Sequence, residues 1–194
     1  MDTRPIVLAS TSRYRAELLR RAGVTFEALP PAVDERAIES EGYSPRELAE
    51  RLAEAKARAV AATRPDAIVI GSDQVCALDL EVLHKPGSVE RAVESLTKLA
   101  GRTHELITAV CICSPEGIER HTDVARLSMR TLDRTEIERY VAHDSPLDCA
   151  GAYKLEERGI ALFESVRCDD HSAITGLPLI AVISILRRLG VALP

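Results

Sequence analysis

Two kinds of apolar pattern divide this chain. Ile6-Val7-Leu8-Ala9 and Ile68-Val69-Ile70 are short unbroken runs rich in β-branched residues, the signature of strands buried on both faces of a sheet. Between them the pattern predicts helices. Arg13 to Ala22 is led in by Ser10-Thr11-Ser12, with Ser12 as N-cap, and is closed by Gly23. Ser44-Pro45-Arg46-Glu47 opens a second helix, running to about Thr63, with an N-cap serine, a proline at the first position and a glutamate completing a capping box. Its core stripe is Leu48, Leu52, Ala55 and Ala59, widened by Ala49, Ala53 and Val60. Phe26 to Leu29 predicts a strand ending at Pro30-Pro31, and Val33-Asp34-Glu35 a loop.

The Ile68 run stops at Gly71-Ser72, which places Asp73 at a strand end; Val75 to Leu78 can continue as a strand that turns at 79–81 and returns through Val82-Leu83. Ser88 caps a helix from Val89 to Leu99. Leu106 to Cys113 reads as a central strand and Glu119 to Met129 as its antiparallel partner across a Ser114-Pro115-Glu116-Gly117 hairpin, which makes the sheet mixed. Asp133 caps a helix through about Val141, Gly159 to Val166 is strand-like, and Gly176-Leu177-Pro178 opens a last apolar helix that runs through Leu189 and stops at Gly190. The expected fold is α/β, a mixed sheet with flanking helices. No repeat, low-complexity tract or linker interrupts it, so residues 1–194 are expected to form a single domain whose two lobes, if present, are interwoven.

Composition narrows the class. With 46% hydrophobic and 28% charged residues the chain is an ordinary globular protein, and a net charge of −5 argues against a surface that coats nucleic acid. An anionic ligand would need a local basic cluster. The longest apolar runs fall short of the roughly 20 residues of a membrane span. Five cysteines are an odd number and Met1 to Pro5 carries no secretory leader, so reduced thiols in a cytoplasmic protein are expected. Cys111 and Cys113 share one strand face, a spacing suited to packing.

The candidate chemistry sits at strand ends and helix starts. In open α/β sheets ligands bind beyond the carboxyl ends of strands, so Asp73 projects toward the expected site, unless it only satisfies backbone donors in a turn. Ser10 and Ser12 lead into a helix N-terminus whose N–H groups and dipole suit an anion, and Arg15 could add a bidentate guanidinium; alternatively the serines cap and the arginine is solvated. Asp34 and Glu35 could hold a divalent cation or lie solvated in a loop. Lys56 lies inside the apolar face of its helix, where it either points into a cleft or, more commonly, extends its ammonium to the edge. Lys85 is held extended by Pro86, which suits a phosphate contact. Together these residues fit one chemistry: cations for a polyphosphate, acids for a divalent metal and a water.

Leu8-Ala9-Ser10-Thr11-Ser12 with Arg15, Val33-Asp34-Glu35, Gly71-Ser72-Asp73-Gln74, Lys85-Pro86, Ala150-Gly151-Ala152-Tyr153 and Gly176-Leu177-Pro178-Leu179 resemble, in order and spacing, the Maf family of nucleoside triphosphate pyrophosphatases over nearly the whole chain. The resemblance implies two lobes around a cleft, a fold similar to that of inosine triphosphatases. It also implies hydrolysis between the α and β phosphates with a divalent cation, magnesium or manganese. Carried over, Asp73 is the general base and shares the metal with Glu35, while Ser10, Ser12, Arg15, Lys56 and Lys85 bind phosphate. Three positions that tune base choice fall at Tyr14, Gln74 and Glu156; this aromatic, Gln and Glu look like the branch acting on 7-methyl-GTP, whereas the dTTP and UTP branch usually has Arg, Thr and Gln. N7-methylation makes guanine cationic, so an aromatic face can attract it and a carboxylate can accept from its N1–H and N2–H groups. The chain departs from the pattern at Arg13 (usually Pro), Tyr14 (often Trp in this branch) and Ser172 (commonly Asn). Rival readings are the sister-branch pyrophosphatase, a non-catalytic nucleotide-binding regulator of septum formation, and a phosphatase releasing orthophosphate. A homodimer is compatible with the sequence, which carries no signal for oligomeric state.

Overall fold

The computed structural model describes residues 4–193. In chain order the elements are β1 (Ile6–Ala9), α1 (Arg13–Arg21), β2 (Glu27–Leu29), α2 (Glu35–Glu39), α3 (Pro45–Ala61), β3 (Ile68–Leu78), β4 (Glu81–Leu83), α4 (Val89–Leu99), β5 (Thr103–Ser114), β6 (Gly117–Met129), α5 (Arg134–Asp144), two 3-10 turns (Ala150–Ala152 and Arg158–Leu162), β7 (Phe163–Arg167), α6 (His171–Ile174) and α7 (Leu179–Arg188). The strands form a mixed sheet in the order β2-β1-β3-β5-β6-β7, with β4 on β3. The chain divides into two compact units, both discontinuous in sequence; β3, β5 and β6 each begin in one and end in the other. No helix among the described residues is long and apolar enough to cross a membrane.

The first unit comprises residues up to Asp73, Thr108–Asp123 and those from Asp170 onward. β1 pairs parallel with β2 and with β3, Leu8 lying opposite Ile70. Because strand side chains alternate, one face of these strands presents Leu8, Ile68, Ile70, Val110 and Ile112 to Leu19 of α1 and Val182, Ile185 and Leu186 of α7. The other face of β3 carries Val69, Gly71 and Asp73. α3 lies against it at unusually close range: a Cβ added at Gly71 would stand 2.4 Å from the Ala53 carbonyl oxygen and 2.5 Å from the Ala57 nitrogen. Only a residue without a side chain permits that approach.

Two local expectations fail here for identifiable reasons. β3 does not stop at Gly71-Ser72 but runs on to Leu78, so Asp73 lies inside a strand. Its pairing with β1 ends at Ile70, and pairing with β4 takes over at Cys76 to Leu78, so the ladder resumes on a new partner. Val33-Asp34-Glu35 is not all loop: the Asp34 carboxylate accepts from the Ala37 N–H at 3.3 Å and caps α2, placing Glu35 at its first position.

The second unit comprises Gln74–Ile107 and Val124–Asp169. α4 packs on α5 and on the 150–152 turn. The predicted strand from Gly159 begins only at Phe163. The Gly159 N–H instead donates to the Lys154 carbonyl at 3.0 Å, and a Cβ there would lie 2.3 Å from that oxygen, so the chain closes a turn before it extends. In the interior of this unit His104 and Tyr153 meet edge to face, ring centroids 5.5 Å apart, with Phe163 4.9 Å from Tyr153. Burial pulls the His104 imidazole down to about 4.

Two outcomes follow from this packing. Gly71→Ala should lower stability by about 2–3 kcal/mol, read as a fall in the denaturant midpoint, because the new methyl meets backbone atoms of α3 that cannot yield without the helix shifting. His104 has a folded-state pKa below its ordinary value of about 6.5, so the unfolded chain binds the extra proton first. Its contribution to stability is complete above that pH and declines as pH falls toward about 4, by up to about 1.4 kcal/mol per unit. Denaturant unfolding between pH 7 and pH 4.5 should therefore show a flatter acid decline for His104→Gln than for the parent; equal slopes would refute the assignment.

Candidate active site

The residues singled out in the sequence fall into two groups. Ser10, Ser12, Tyr14, Arg15, Glu35, Lys56 and Asp73 belong to the first unit, and Gln74, Lys85 and Glu156 to the second.

In the first unit the turn after β1 does more than cap. The Ser12 hydroxyl accepts from the Arg15 N–H at 3.4 Å, as an N-cap should, and the Ser10 hydroxyl accepts both from the Ser12 N–H at 3.1 Å and from the Arg15 guanidinium at 3.4 Å. Arg15 is not a solvated arginine. Its Nε donates to the Gly176 carbonyl at 2.8 Å, and burial pulls its pKa down while the nearby Asp73 and Glu35 carboxylates push it back up. Tyr14 is half-buried, with the Arg13 guanidinium 4.8 Å above its ring and donating to its hydroxyl at 2.8 Å, so one ring face already holds a cation.

Lys56 departs most from expectation. Its ammonium does not extend to the edge of α3: the residue is 6% exposed, and Nζ donates to Asp73 Oδ1 at 2.6 Å and lies 3.0 Å from Glu35 Oε1. The close approach of α3 over Gly71 makes this possible, since Lys56 lies next to Ala57 and Asp73 is two residues along β3 on the same face. Asp73 Oδ2 has no hydrogen bond among the described residues.

Sequence reasoning missed two contributors. Ser72, fully buried on the opposite face of β3, donates toward the carbonyls of Ala109 at 2.8 Å and Gly176 at 3.0 Å, so it shares with Arg15 the acceptor supplied by the Gly176-Leu177-Pro178 turn. That turn is held by Asp170, whose carboxylate accepts from the N–H groups of Ser172 at 2.9 Å and Ile180 at 2.7 Å, and by the Ser172 hydroxyl, which accepts from the Leu179 N–H at 2.8 Å. A serine where the resemblance leads one to expect asparagine thus still satisfies the start of α7. The Gly-Leu-Pro string was a visible signal, but it does not say which side chain its carbonyl would meet.

In the second unit Lys85 is exposed ahead of the buried Pro86, Gln74 is half-buried on β3, and Glu156 is exposed between Leu155 and the second 3-10 turn.

Chemically, the first unit offers an anion a helix N-terminus and a guanidinium, and offers a cation two carboxylates. The Lys56 ammonium stands in for such a cation, showing that oxygens of Asp73 and Glu35 can reach one positive centre. Two hard oxygen donors suit magnesium or manganese, whose remaining ligands are commonly water and substrate phosphate. No cluster of three or more His, Cys, Asp or Glu side chains able to hold a metal occurs among the described residues, so the chain would supply only part of the coordination shell.

A mixed α/β protein that places cationic groups for an anion beside paired carboxylates is the class these observations define. The chain belongs to the Maf family: the model described as Maf-like protein matches residues 5–189. Among curated relatives, the 7-methyl-GTP pyrophosphatase of Xanthomonas campestris is 47% identical over 190 residues, 97% of this chain and 98% of that one. The proteins of the same name from Polaromonas sp., 49% identical over 98% of this chain and 87% of the relative, and from Bdellovibrio bacteriovorus, 42% identical over 97% and 98%, are similarly related. A solved nucleoside triphosphatase, a dITP/XTP pyrophosphatase from Mycobacterium abscessus, aligns with a TM-score of 0.47 at 17% identity over 94% of this chain and 100% of its own, a likeness too slight to bear on the fold.

The buried pair carries its own prediction. Lys56→Met leaves the Asp73 carboxylate buried without its partner and should cost about 3–5 kcal/mol in denaturant unfolding, with part of the loss recovered in Lys56→Met/Asp73→Asn. Glu35, whose side chain is 48% exposed, should lose less than about 1 kcal/mol as Glu35→Gln. Equal costs for the two single substitutions would contradict the geometry.

Proposed function

We propose that this protein is a nucleoside triphosphate pyrophosphatase that adds water across the α–β phosphoanhydride of 7-methyl-GTP, releasing 7-methyl-GMP and pyrophosphate. The observation that carries the reading is the buried Asp73 carboxylate, held by Lys56 through Oδ1 at 2.6 Å in the unit that also holds Arg15 and the α1 N-terminus. Relatives covering almost the whole chain bear the name of that activity, which supports the same choice.

In this reading Asp73 Oδ2 takes the proton from the attacking water, and Lys56 fixes the orientation of the carboxylate. The N–H groups at the start of α1, the Ser10 and Ser12 hydroxyls and Arg15 bind phosphate oxygens, and with Lys56 and Lys85 they stabilise charge that accumulates on the departing pyrophosphate. Magnesium or manganese, held through Glu35 and Asp73, would neutralise triphosphate charge and acidify water. Tyr14, Gln74 and Glu156 select the base: the ring face of Tyr14 not covered by Arg13 attracts the cationic methylated guanine, and the Glu156 carboxylate accepts its N–H groups. The reading implies a cytoplasmic enzyme.

The test is a panel of nucleoside triphosphates, methylated ones included, with pyrophosphate detection and with magnesium or manganese. We expect pyrophosphate, not orthophosphate, and the highest kcat/KM on 7-methyl-GTP; a preference for dTTP and UTP would assign the chain to the sister activity instead. Asp73→Asn should lower kcat about 10²–10⁴-fold with nucleotide binding retained. A wild-type protein that binds nucleotide but never turns over would point to a regulator. Chelation of divalent cations should abolish turnover reversibly.

A further inference from the structure

We infer that His104 and Tyr153, joined by a hydrogen bond inside the second unit, are positioning residues for Glu156: they hold the turn that aims the base-reading carboxylate. The inference rests on the function proposed above and adds to it residues that touch neither substrate nor phosphate.

The turn needs an external constraint. Gly151 and Ala152 both take left-handed backbone conformations, with φ of 77° and 61°. Glycine adopts that region freely, but an alanine in it is strained and stays there only where its surroundings leave no alternative. Those surroundings are Tyr153 and what it touches. Its ring is wedged between His104 and Phe163, with centroids 5.5 and 4.9 Å away, and lies so close beneath Gly151 that a Cβ there would be 2.8 Å from Tyr153 Cε1 and 2.9 Å from Cys76 Sγ. Tyr153 Oη is 2.8 Å from His104 Nε2.

Beyond Tyr153 the chain is pinned again on each side of Glu156. The Lys154 N–H donates to Tyr140 Oη at 2.9 Å and its ammonium donates to the Asp144 carbonyl at 2.9 Å, while the Arg158 N–H donates to Asp144 Oδ2 at 3.1 Å. Glu156 is therefore the first of three exposed residues, with Glu157 and Arg158, in a short segment whose backbone is tied down at Lys154 and at Arg158.

A structural role alone does not explain the His104–Tyr153 pair. Neutral imidazole and phenol carry two polar hydrogens between them, yet the pair makes one hydrogen bond, and His104 Nδ1 is buried without a partner among the described residues. Either tautomer leaves a polar hydrogen unaccepted. Two apolar rings would pack in the same space without that penalty, because replacing both partners of a buried hydrogen bond is commonly neutral or stabilising. What apolar rings cannot supply is the directional link that fixes the depth and rotation of residue 153, and with it the path of the chain to Glu156.

The experiment compares kcat/KM on 7-methyl-GTP with that on GTP, a ratio that loss of folded protein does not move. His104→Phe/Tyr153→Phe should keep an unfolding midpoint equal to or above the parent's while lowering the ratio about tenfold, and Tyr153→Phe, which leaves His104 Nε2 without its partner, should lower the ratio alike but with a lower midpoint. His104→Gln, which keeps a hydrogen-bonding amide near Nε2, should retain most of the ratio. In a Glu156→Ala background Tyr153→Phe should leave the ratio unchanged, because the effect passes through that carboxylate. A wild-type enzyme that prefers 7-methyl-GTP but whose ratio these variants do not alter overturns this inference alone. One that releases pyrophosphate without preference, or releases none, overturns the proposed base selection as well.

Discussion

The first unit depends on how closely α3 can lie on β3. At Gly71 the helix backbone occupies the volume where any side chain would begin, with Ala53 and Ala57 as the small residues facing it. This contact sets the height at which Lys56 meets the sheet. Were the helix held off by even one methyl group, an ammonium whose nitrogen now lies 2.6 Å from Asp73 Oδ1 would be displaced from the carboxylate it neutralises. The Gly-Ser-Asp string is thus three residues with three duties: Gly71 admits the helix, Ser72 turns to the opposite face to meet the Gly176 carbonyl, and Asp73 returns to the helix face to meet Lys56. The alternation of strand side chains alone assigns those faces.

A buried ion pair is rarely present for stability, because removing two charges from water offsets much of their attraction. This pair lies between a helix and a central strand, with Glu35 as a second carboxylate on the same ammonium, and these are the charges on which the proposed site rests. Arg15 belongs to the same arrangement. It is drawn in by the Gly176 and Ser10 oxygens, and its charge is maintained against burial by Asp73 and Glu35. Cations and carboxylates thus converge within the first unit, the feature on which the proposed reading for a polyphosphate and a divalent cation rests.

The second unit meets a different constraint, holding an irregular segment in place. Regular elements fix side chains through repeated backbone hydrogen bonds, and residues 150–158 largely lack them. The substitute is a set of side-chain ties: the phenols of Tyr140 and Tyr153, the carboxylate and carbonyl of Asp144, and the His104 imidazole. A Phe at position 163 completes an aromatic interior in a chain where only 3% of residues are Phe, Trp or Tyr. Three of those few aromatic residues are therefore concentrated around this one segment.

Read alone, the sequence determined most of the elements, because periodicity and caps are local: Ser12, Ser44, Ser88 and Asp133 all cap the helices they announce, and Pro45 and Glu47 complete the expected box. It also determined the family, since short motifs in a given order are a property of the chain itself. Tertiary structure decided what a side chain does where local chemistry allows two outcomes. The environment of Lys56 depends on a glycine fifteen residues downstream, that of Arg15 on a carbonyl at residue 176, and the continuation of β3 past Ser72 on a pairing partner that follows it. Nothing within a few residues of any of them encodes those distances. An amphipathic pattern states which face is buried, but only the packed fold states against what, and the charge and polarity of that neighbour decide whether a buried lysine is an accident of the interior or part of a site.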